Sequence, residues 1–242
     1  MRVLVTRPAH SATKTAQRLR DMGHEPLLLP LRRPLHDSAA AAAALARTSG
    51  AIAVTSAEAI RVVAALEEQL RPHLARPLFA VGETTAEEAR KLGFRSVASS
   101  KGNGRDLADL VGDFVDLAAA QGADRLLYLA GLPRAETFEA GLRQRGIRFS
   151  VAECYRMQPV APGPAEIGAI FSGRRPEVIL FYSRQTAEDF FRVPELRSAL
   201  PEESGIRLIC LSEAVAEAIP AALRKSVMIS PMTDEKSLLS LL

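Results

Sequence analysis

The residues of this chain best suited to chemistry are small hydroxyls and glycines, and they recur in one setting. A short apolar run ends on Ser, Thr or Gly, and a helical pattern begins. The setting occurs at Thr6-Arg7-Pro8, Thr55-Ser56-Ala57, Gly82-Glu83-Thr84-Thr85, Gly131-Leu132-Pro133-Arg134, Ser183-Arg184-Gln185-Thr186 and Ser212-Glu213. The first turn of a helix carries backbone N–H groups without intrahelical acceptors, so such points favour anions. Ser and Thr there are also ordinary helix caps, which explains any one of them singly. Six at the carboxyl ends of strands, in two lobes facing a cleft, are better explained by a polyanionic ligand held largely by main-chain donors. Other chemistry is poorly supplied. His10, His24, His36 and His73 have no metal-ligand spacing to one another or to Cys154 and Cys210. Gly102-Asn103-Gly104 lacks the third glycine and the later acid of a dinucleotide fingerprint. There is no P-loop, no Gly-x-Ser-x-Gly elbow and no usable acid pair on one helix.

The elements that must position these residues alternate. Strands are predicted at 3–6, 26–30, 51–54, 78–81, around Val97, and at 125–130, 149–155, 178–182, 207–211 and 227–230. Helices are predicted at 11–22, 39–46, 57–70, 84–92, 105–120, 134–145, 165–171, 186–191, 214–223 and 235–242. Continuous apolar strands between amphipathic helices imply parallel sheets covered on both faces. Ten strands make an α/β protein of two similar flavodoxin-like lobes, each a doubly wound parallel sheet.

The chain also holds a worn copy of itself. Leu4-Val5-Thr6-Arg7 and Gly23 align with Leu127-Tyr128-Leu129-Ala130 and Gly146, each 123 positions on. Val54-Thr55-Ser56 aligns with Phe181-Tyr182-Ser183 at an offset of 127, and Ala80-Val81-Gly82 with Cys210-Leu211-Ser212 at 130. A drifting offset is what loop insertions leave after a duplication. Leu31-Arg32-Arg33-Pro34-Leu35 and Arg156-Met157-Gln158-Pro159-Val160 break the rhythm at equivalent places, 124 apart. Proline there marks edges or connectors, so these are the expected crossings between lobes. Two topologies fit: each repeat folds by itself, or the chain leaves the first lobe near Leu31 and returns near Arg156.

Composition narrows the classes. The 242 residues suit two modest domains or one large one, and 48% hydrophobic residues without tryptophan give an aliphatic core. The net charge is +3, and only Lys14, Lys91, Lys101, Lys225 and Lys236 of the 31 basic residues are lysines. The arginine fork suits carboxylate and phosphate. No basic run exceeds two residues and aromatics are not interleaved, which argues against nucleic acid. No apolar run reaches the roughly 20 residues of a membrane span, and the N-terminus reads as a strand instead of a signal peptide. Two cysteines in apolar runs read as reduced core thiols in a cytoplasmic protein.

Together these segments resemble the uroporphyrinogen-III synthase family along nearly the whole chain. The resemblance rests on Val5-Thr6-Arg7-Pro8, Gly23-His24-Glu25-Pro26 with Pro30-Leu31, Val54-Thr55-Ser56-Ala57-Glu58-Ala59-Ile60 and Ala80-Val81-Gly82-Glu83-Thr84-Thr85-Ala86. It continues through Gly146, the run Val151 to Tyr155, and Phe181-Tyr182-Ser183-Arg184-Gln185-Thr186. The resemblance implies two flavodoxin-like lobes joined by a two-stranded connection, with residues 1–32 plus 160–242 as a discontinuous first lobe and 33–159 as an inserted second.

It also implies a lyase that uses no cofactor; a monomer without nucleic acid, membrane or metal is the expectation for this chain. That enzyme closes hydroxymethylbilane, a linear tetrapyrrole rich in carboxylates, with loss of water and inversion of the terminal pyrrole. Tyr155 matches the family's important tyrosine, expected to give a proton or hydrogen bond to the leaving hydroxyl. Thr55, Ser56, Gly82, Thr85 and Ser183 match positions expected to line the substrate site, and Thr6 and Arg7 match the start of the other lobe. Gly131 and Ser212 come from the strand-end pattern, and Arg134 and Arg156 are arginines near strand ends suited to carboxylates. Ser212-Glu213-Ala214-Val215 departs from the family's turn, which places a threonine there. A bilobal protein that binds a small anion or sugar without catalysis is the competing expectation, since the missing acid–base pair suits it equally.

Overall fold

The computed structural model describes residues 1–100, 102–118, 125–201 and 204–242. The strands are β1 (Arg2–Val5), β2 (Glu25–Leu28), β3 (Arg32–His36), β4 (Ile52–Val54), β5 (Leu78–Val81), β6 (Val97–Ser100), β7 (Leu126–Leu132), β8 (Phe149–Pro159), β9 (Val178–Phe181), β10 (Arg207–Cys210) and β11 (Val227–Ile229). The helices are α1 (Ala9–Asp21), α2 (Ser38–Ala46), α3 (Ala57–Ala64), α4 (Glu83–Leu92), α5 (Gly104–Ala118), α6 (Thr137–Gln144), α7 (Pro164–Phe171), α8 (Arg184–Arg192), α9 (Pro194–Ser198), α10 (Glu213–Ala216) and α11 (Glu235–Leu239). They form two compact units. Unit 1 is Met1–Arg33 with Gln158–Leu242, and unit 2 is Pro34–Met157. The chain therefore leaves unit 1 and returns to it.

Unit 1 is a five-stranded sheet in the order β11-β10-β9-β1-β2, parallel throughout. Its strands are apolar on both faces because both are covered. Val3 and Val5 of β1 pack on one side with Ala12 and Leu19 of α1, while Leu4 packs on the other with Phe181 and Phe190. Unit 2 repeats the plan. In the order β3-β8-β7-β4-β5-β6, the five strands from β8 to β6 are parallel. Ile52 and Val54 of β4 face one core, and Ala53 faces the other with Phe79, Tyr128 and Phe138.

The two sheets match strand for strand. β1, β2, β9, β10 and β11 occupy the places that β7, β8, β4, β5 and β6 occupy in unit 2. These are the pairs that the internal repeat aligns, β1 with β7, β4 with β9 and β5 with β10. Each unit therefore combines the first part of one repeat with the later part of the other.

The crossing segments are strands, which makes eleven where ten were expected. The Asp37 amide donates to the Cys154 carbonyl (2.8 Å) and the Val160 amide to the Leu31 carbonyl (2.8 Å), a pairing of chains running in opposite directions. Pro34 is tolerated because β3 is an edge strand. Other differences are local. The helix expected over 57–70 stops at Ala64 and continues as a 3-10 turn over Glu67–His73, with Glu67 in the left-handed region and Pro72 unable to donate. The helix expected from Arg134 begins at Thr137, and the Arg134 side chain bonds Glu139 and the Gly131 carbonyl. The one expected over 214–223 is helical for four residues and resumes as a 3-10 turn after Pro220. Residues 119 and 120 of the helix expected over 105–120 lie outside the described residues.

Candidate active site

In unit 2 the carboxyl ends of β4, β7 and β8 lie side by side, carrying Thr55-Ser56, Gly131 and Tyr155. Chain order reverses between β4 and β7, and such switch points are where open parallel sheets bind ligands. Tyr155 reaches this point through a bulge. Ala130 pairs with Glu153, but Gly131 pairs with Tyr155, so Cys154 is an extra residue. Alternation is broken there, and Cys154 and Tyr155 both pack on the same core.

The Tyr155 ring lies directly over Gly131, where any Cβ would collide with it. Burial pushes the Tyr155 phenol up to about 12, with a hydrogen bond to Ser56 working against the rise. The Ser56 hydroxyl also caps α3, accepting from the Glu58 amide (3.2 Å). Thr55 Oγ1 shares a hydrogen bond with Tyr128 Oη (2.9 Å), and Tyr128 is buried edge-on against Phe138, their ring centres 4.9 Å apart.

Around this centre the other unit 2 candidates divide. Gly82 precedes α4 in the left-handed region (φ 74°), which a side chain would strain, and Thr85 is buried in the helix's first turn. Arg134 is committed. It holds Glu139 at 2.7 Å and Glu153 at 2.9 Å, and the Glu153 bond leads the contacts that raise its pKa. Arg156 is exposed and has no ion-pair partner among the described residues. Sequence reasoning passed over the buried Glu58, which accepts from His36 Nε2 (2.6 Å) and Arg61 Nη1 (2.5 Å). Its place two residues after the Ser56 cap was the available signal.

In unit 1, Ser183 caps α8, accepting from the Thr186 amide at 3.2 Å and lying 2.8 Å from the Thr186 hydroxyl. Ser212 precedes the four-residue α10 without a side-chain capping bond. Thr6 is fully buried and donates to the Leu180 carbonyl (2.9 Å). Arg7 binds Glu235 (2.8 Å) and lies over the Tyr182 ring, 4.0 Å from its centre. Tyr182 also donates to Glu235 (2.9 Å), and its phenol is pushed up by burial and by that carboxylate. Thr6 and Arg7 thus hold unit 1 together through their side chains. Of the candidates, Tyr155 meets both Ser56 and Gly131, with Thr55 beside Ser56, while those in unit 1 stand at separate strand ends.

The uroporphyrinogen-III synthase HemD family model matches residues 13–240. The chain belongs to the uroporphyrinogen-III synthase family. It is accordingly an enzyme of tetrapyrrole biosynthesis, a lyase that cyclises hydroxymethylbilane to the type III ring with loss of water. Two solved structures share the fold of this family member. Uroporphyrinogen-III synthetase from Helicobacter pylori is 18% identical, with 100% of this chain and 98% of that one covered and a TM-score of 0.64. A mutant uroporphyrinogen III synthase from Thermus thermophilus is 19% identical, with 99% and 96% covered and a TM-score of 0.54. A sequence comparison with curated proteins finds no match. Among the described residues no helix of this synthase is long and apolar enough to cross a membrane, and no cluster of His, Cys, Asp and Glu could hold a metal ion. Cys154 and Cys210 are buried free thiols whose pKa burial raises to about 12.

Proposed function

We propose that Tyr155 is the general acid of the ring closure and that the unit 2 strand ends hold the reacting end of the substrate. The phenol protonates the departing hydroxyl as the carbon–oxygen bond breaks, so water leaves and the pyrrole stabilises the azafulvene. Attack at the substituted carbon of the terminal ring gives a spiro intermediate, which reopens and recloses inverted. The proton lost from carbon at the final closure returns to the phenolate. A buried phenol with a raised pKa enters each cycle protonated, and the Ser56 hydroxyl stabilises the phenolate formed in between. The remaining work is orientation, since an unguided bilane closes without inversion.

The observation that carries this reading is the meeting of Tyr155, Ser56 and Gly131 at the unit 2 switch point. Backbone donors near Gly82, Thr85, Ser183 and Ser212 serve substrate carboxylates, as does Arg156, while Thr6, Arg7 and Arg134 support the strand ends. The lobes that act are 1–32 with 160–242, and 33–159, in a cytoplasmic monomer working without a cofactor. The compact units, which part after Arg33 and after Met157, support that division.

Freshly generated hydroxymethylbilane mixed with the protein should yield the type III isomer. Tyr155→Phe should slow that product about 100-fold or more, and a variant as fast as wild type would overturn the proposal. Arg156→Ala should raise KM roughly 10- to 100-fold, the worth of one charge-assisted hydrogen bond. Thermal melting should not move, because Arg156 is exposed and carries no ion pair among the described residues. An unchanged KM would remove Arg156 from the site.

A further inference from the structure

We propose that Gly131 is a positioning residue for Tyr155, its bare Cα forming the seat on which the phenol rests once the bulge at Cys154 has turned the ring onto it. The proposal rests on Tyr155 acting in the reaction. Three observations lead to it. The nearest atoms to a Cβ built on Gly131 are Tyr155 Cζ, Cε2 and Oη, so a methyl group there would meet the phenol end of the ring before any backbone. Gly131 has no positive φ, so its smallness and not its backbone freedom is what the position uses. The register slips by one residue at this step, with Ala130 opposite Glu153 and Gly131 opposite Tyr155.

The internal repeat shows what the seat adds. Between Gly23 and Gly146 the offset is 123, and between Arg32 and Arg156 it is 124, so one residue was gained between Gly146 and Arg156. In unit 1 the corresponding register runs unbroken to Val5 opposite Leu28. There Pro8 stands at the place of Gly131 and Leu31, fully buried, at the place of Tyr155. Glycine and tyrosine therefore occur together in one unit and are both missing from the other. A regularly alternating strand with Cys154 on this core would aim residue 155 at the opposite face; the slip lets both residues face it. With a side chain at 131, the ring would swing off the strand end and away from Ser56.

Four proteins test this: wild type, Gly131→Ala, Tyr155→Ala and the double variant, each assayed for type III product and for thermal melting. Gly131→Ala is expected to lower kcat on the order of 100-fold, the cost of misplacing a reacting group by about 1 Å. In the Tyr155→Ala background the same change should cost less than about twofold and leave the melting temperature where Tyr155→Ala alone puts it. If Gly131→Ala alone does not fold, the double variant must fold as well as Tyr155→Ala, because the obstructing ring is gone.

A spectroscopic readout separates positioning from general damage. The chain has three tyrosines and no tryptophan, so phenolate absorbance is clean. The Tyr155 step, found by difference from Tyr155→Phe, should fall in Gly131→Ala from about 12 toward the ordinary 10.0. Equal losses in both backgrounds, or full activity of Gly131→Ala, would overturn the proposal. Full activity of Tyr155→Phe would instead refute the role of Tyr155, leaving the melting comparison to report on the seat alone.

Discussion

Tyr155→Phe is expected to slow type III product formation about 100- to 10,000-fold, the range a positioned general acid contributes. The substitution keeps the ring on Gly131 and removes only the hydroxyl, so the cost in stability should be about 1 kcal/mol, one hydrogen bond to Ser56. The loss should fall on kcat, because the phenol acts as the carbon–oxygen bond breaks and not in holding carboxylates. Its pH dependence is also fixed. The folded phenol titrates near 12 against an ordinary 10.0, so Tyr155 adds stability that is fully present below pH 10 and lost as pH rises toward 12. Tyr155 therefore contributes no alkaline limb to the rate below pH 10, and the variant's profile there should be a scaled copy of the wild type's. Spontaneous closure gives the type I ring, so the measurement is the initial rate of type III alone. A variant as fast as wild type would take Tyr155 out of the chemistry.

Much of the scaffold is legible because it follows from local patterns. Strands such as Val178–Phe181 are apolar on every residue because both faces are covered, and Gly93 closes α4 in the left-handed region, as glycine at helix ends does. The repeat is legible because equivalent strands keep their hydroxyl-rich ends, Thr55-Ser56 and Tyr182-Ser183 among them. What escapes the sequence is where each side chain is spent. Arg134 stands at a strand end like a ligand-binding arginine, yet Glu139 and Glu153 already hold it. Thr6 opens the same motif as Thr55, but its hydroxyl turns inward to the Leu180 carbonyl, 174 positions away. Periodicity carries no information on contacts of that span. The drift from 123 to 124 was visible as arithmetic, but only the register at Gly131 shows the slip that brings Tyr155 opposite it.

The same repeat yields the second large effect, in stability. Arg32 and Arg156 are equivalent residues with opposite fates. Arg32, with 14% of its side chain exposed, donates through Nε to Asp189 at 2.6 Å and through Nη1 to Gln185 at 2.7 Å, and the Asp189 side chain is 7% exposed. At the offset of 127 the counterpart of Asp189 is Val62, which leaves Arg156 without the equivalent acid. Removing one partner of a buried pair strands the other charge in a poorly solvated place, and that typically costs about 3–5 kcal/mol. Arg32→Ala should fall at the lower end, because Arg192 still meets Asp189 at 2.7 Å, though 70% of the Arg192 side chain is exposed. The loss should concentrate in unit 1, so amide exchange should quicken in β1 and β9 while β4 and β7 keep their protection. Replacing Arg32 and Asp189 together by Met and Leu should recover most of the loss, since it is the unpaired charge and not the missing attraction that destabilises. A single Arg32→Ala variant within about 1 kcal/mol of wild type would show that the pair is solvated like a surface bridge, and that its burial contributes nothing to the stability of unit 1.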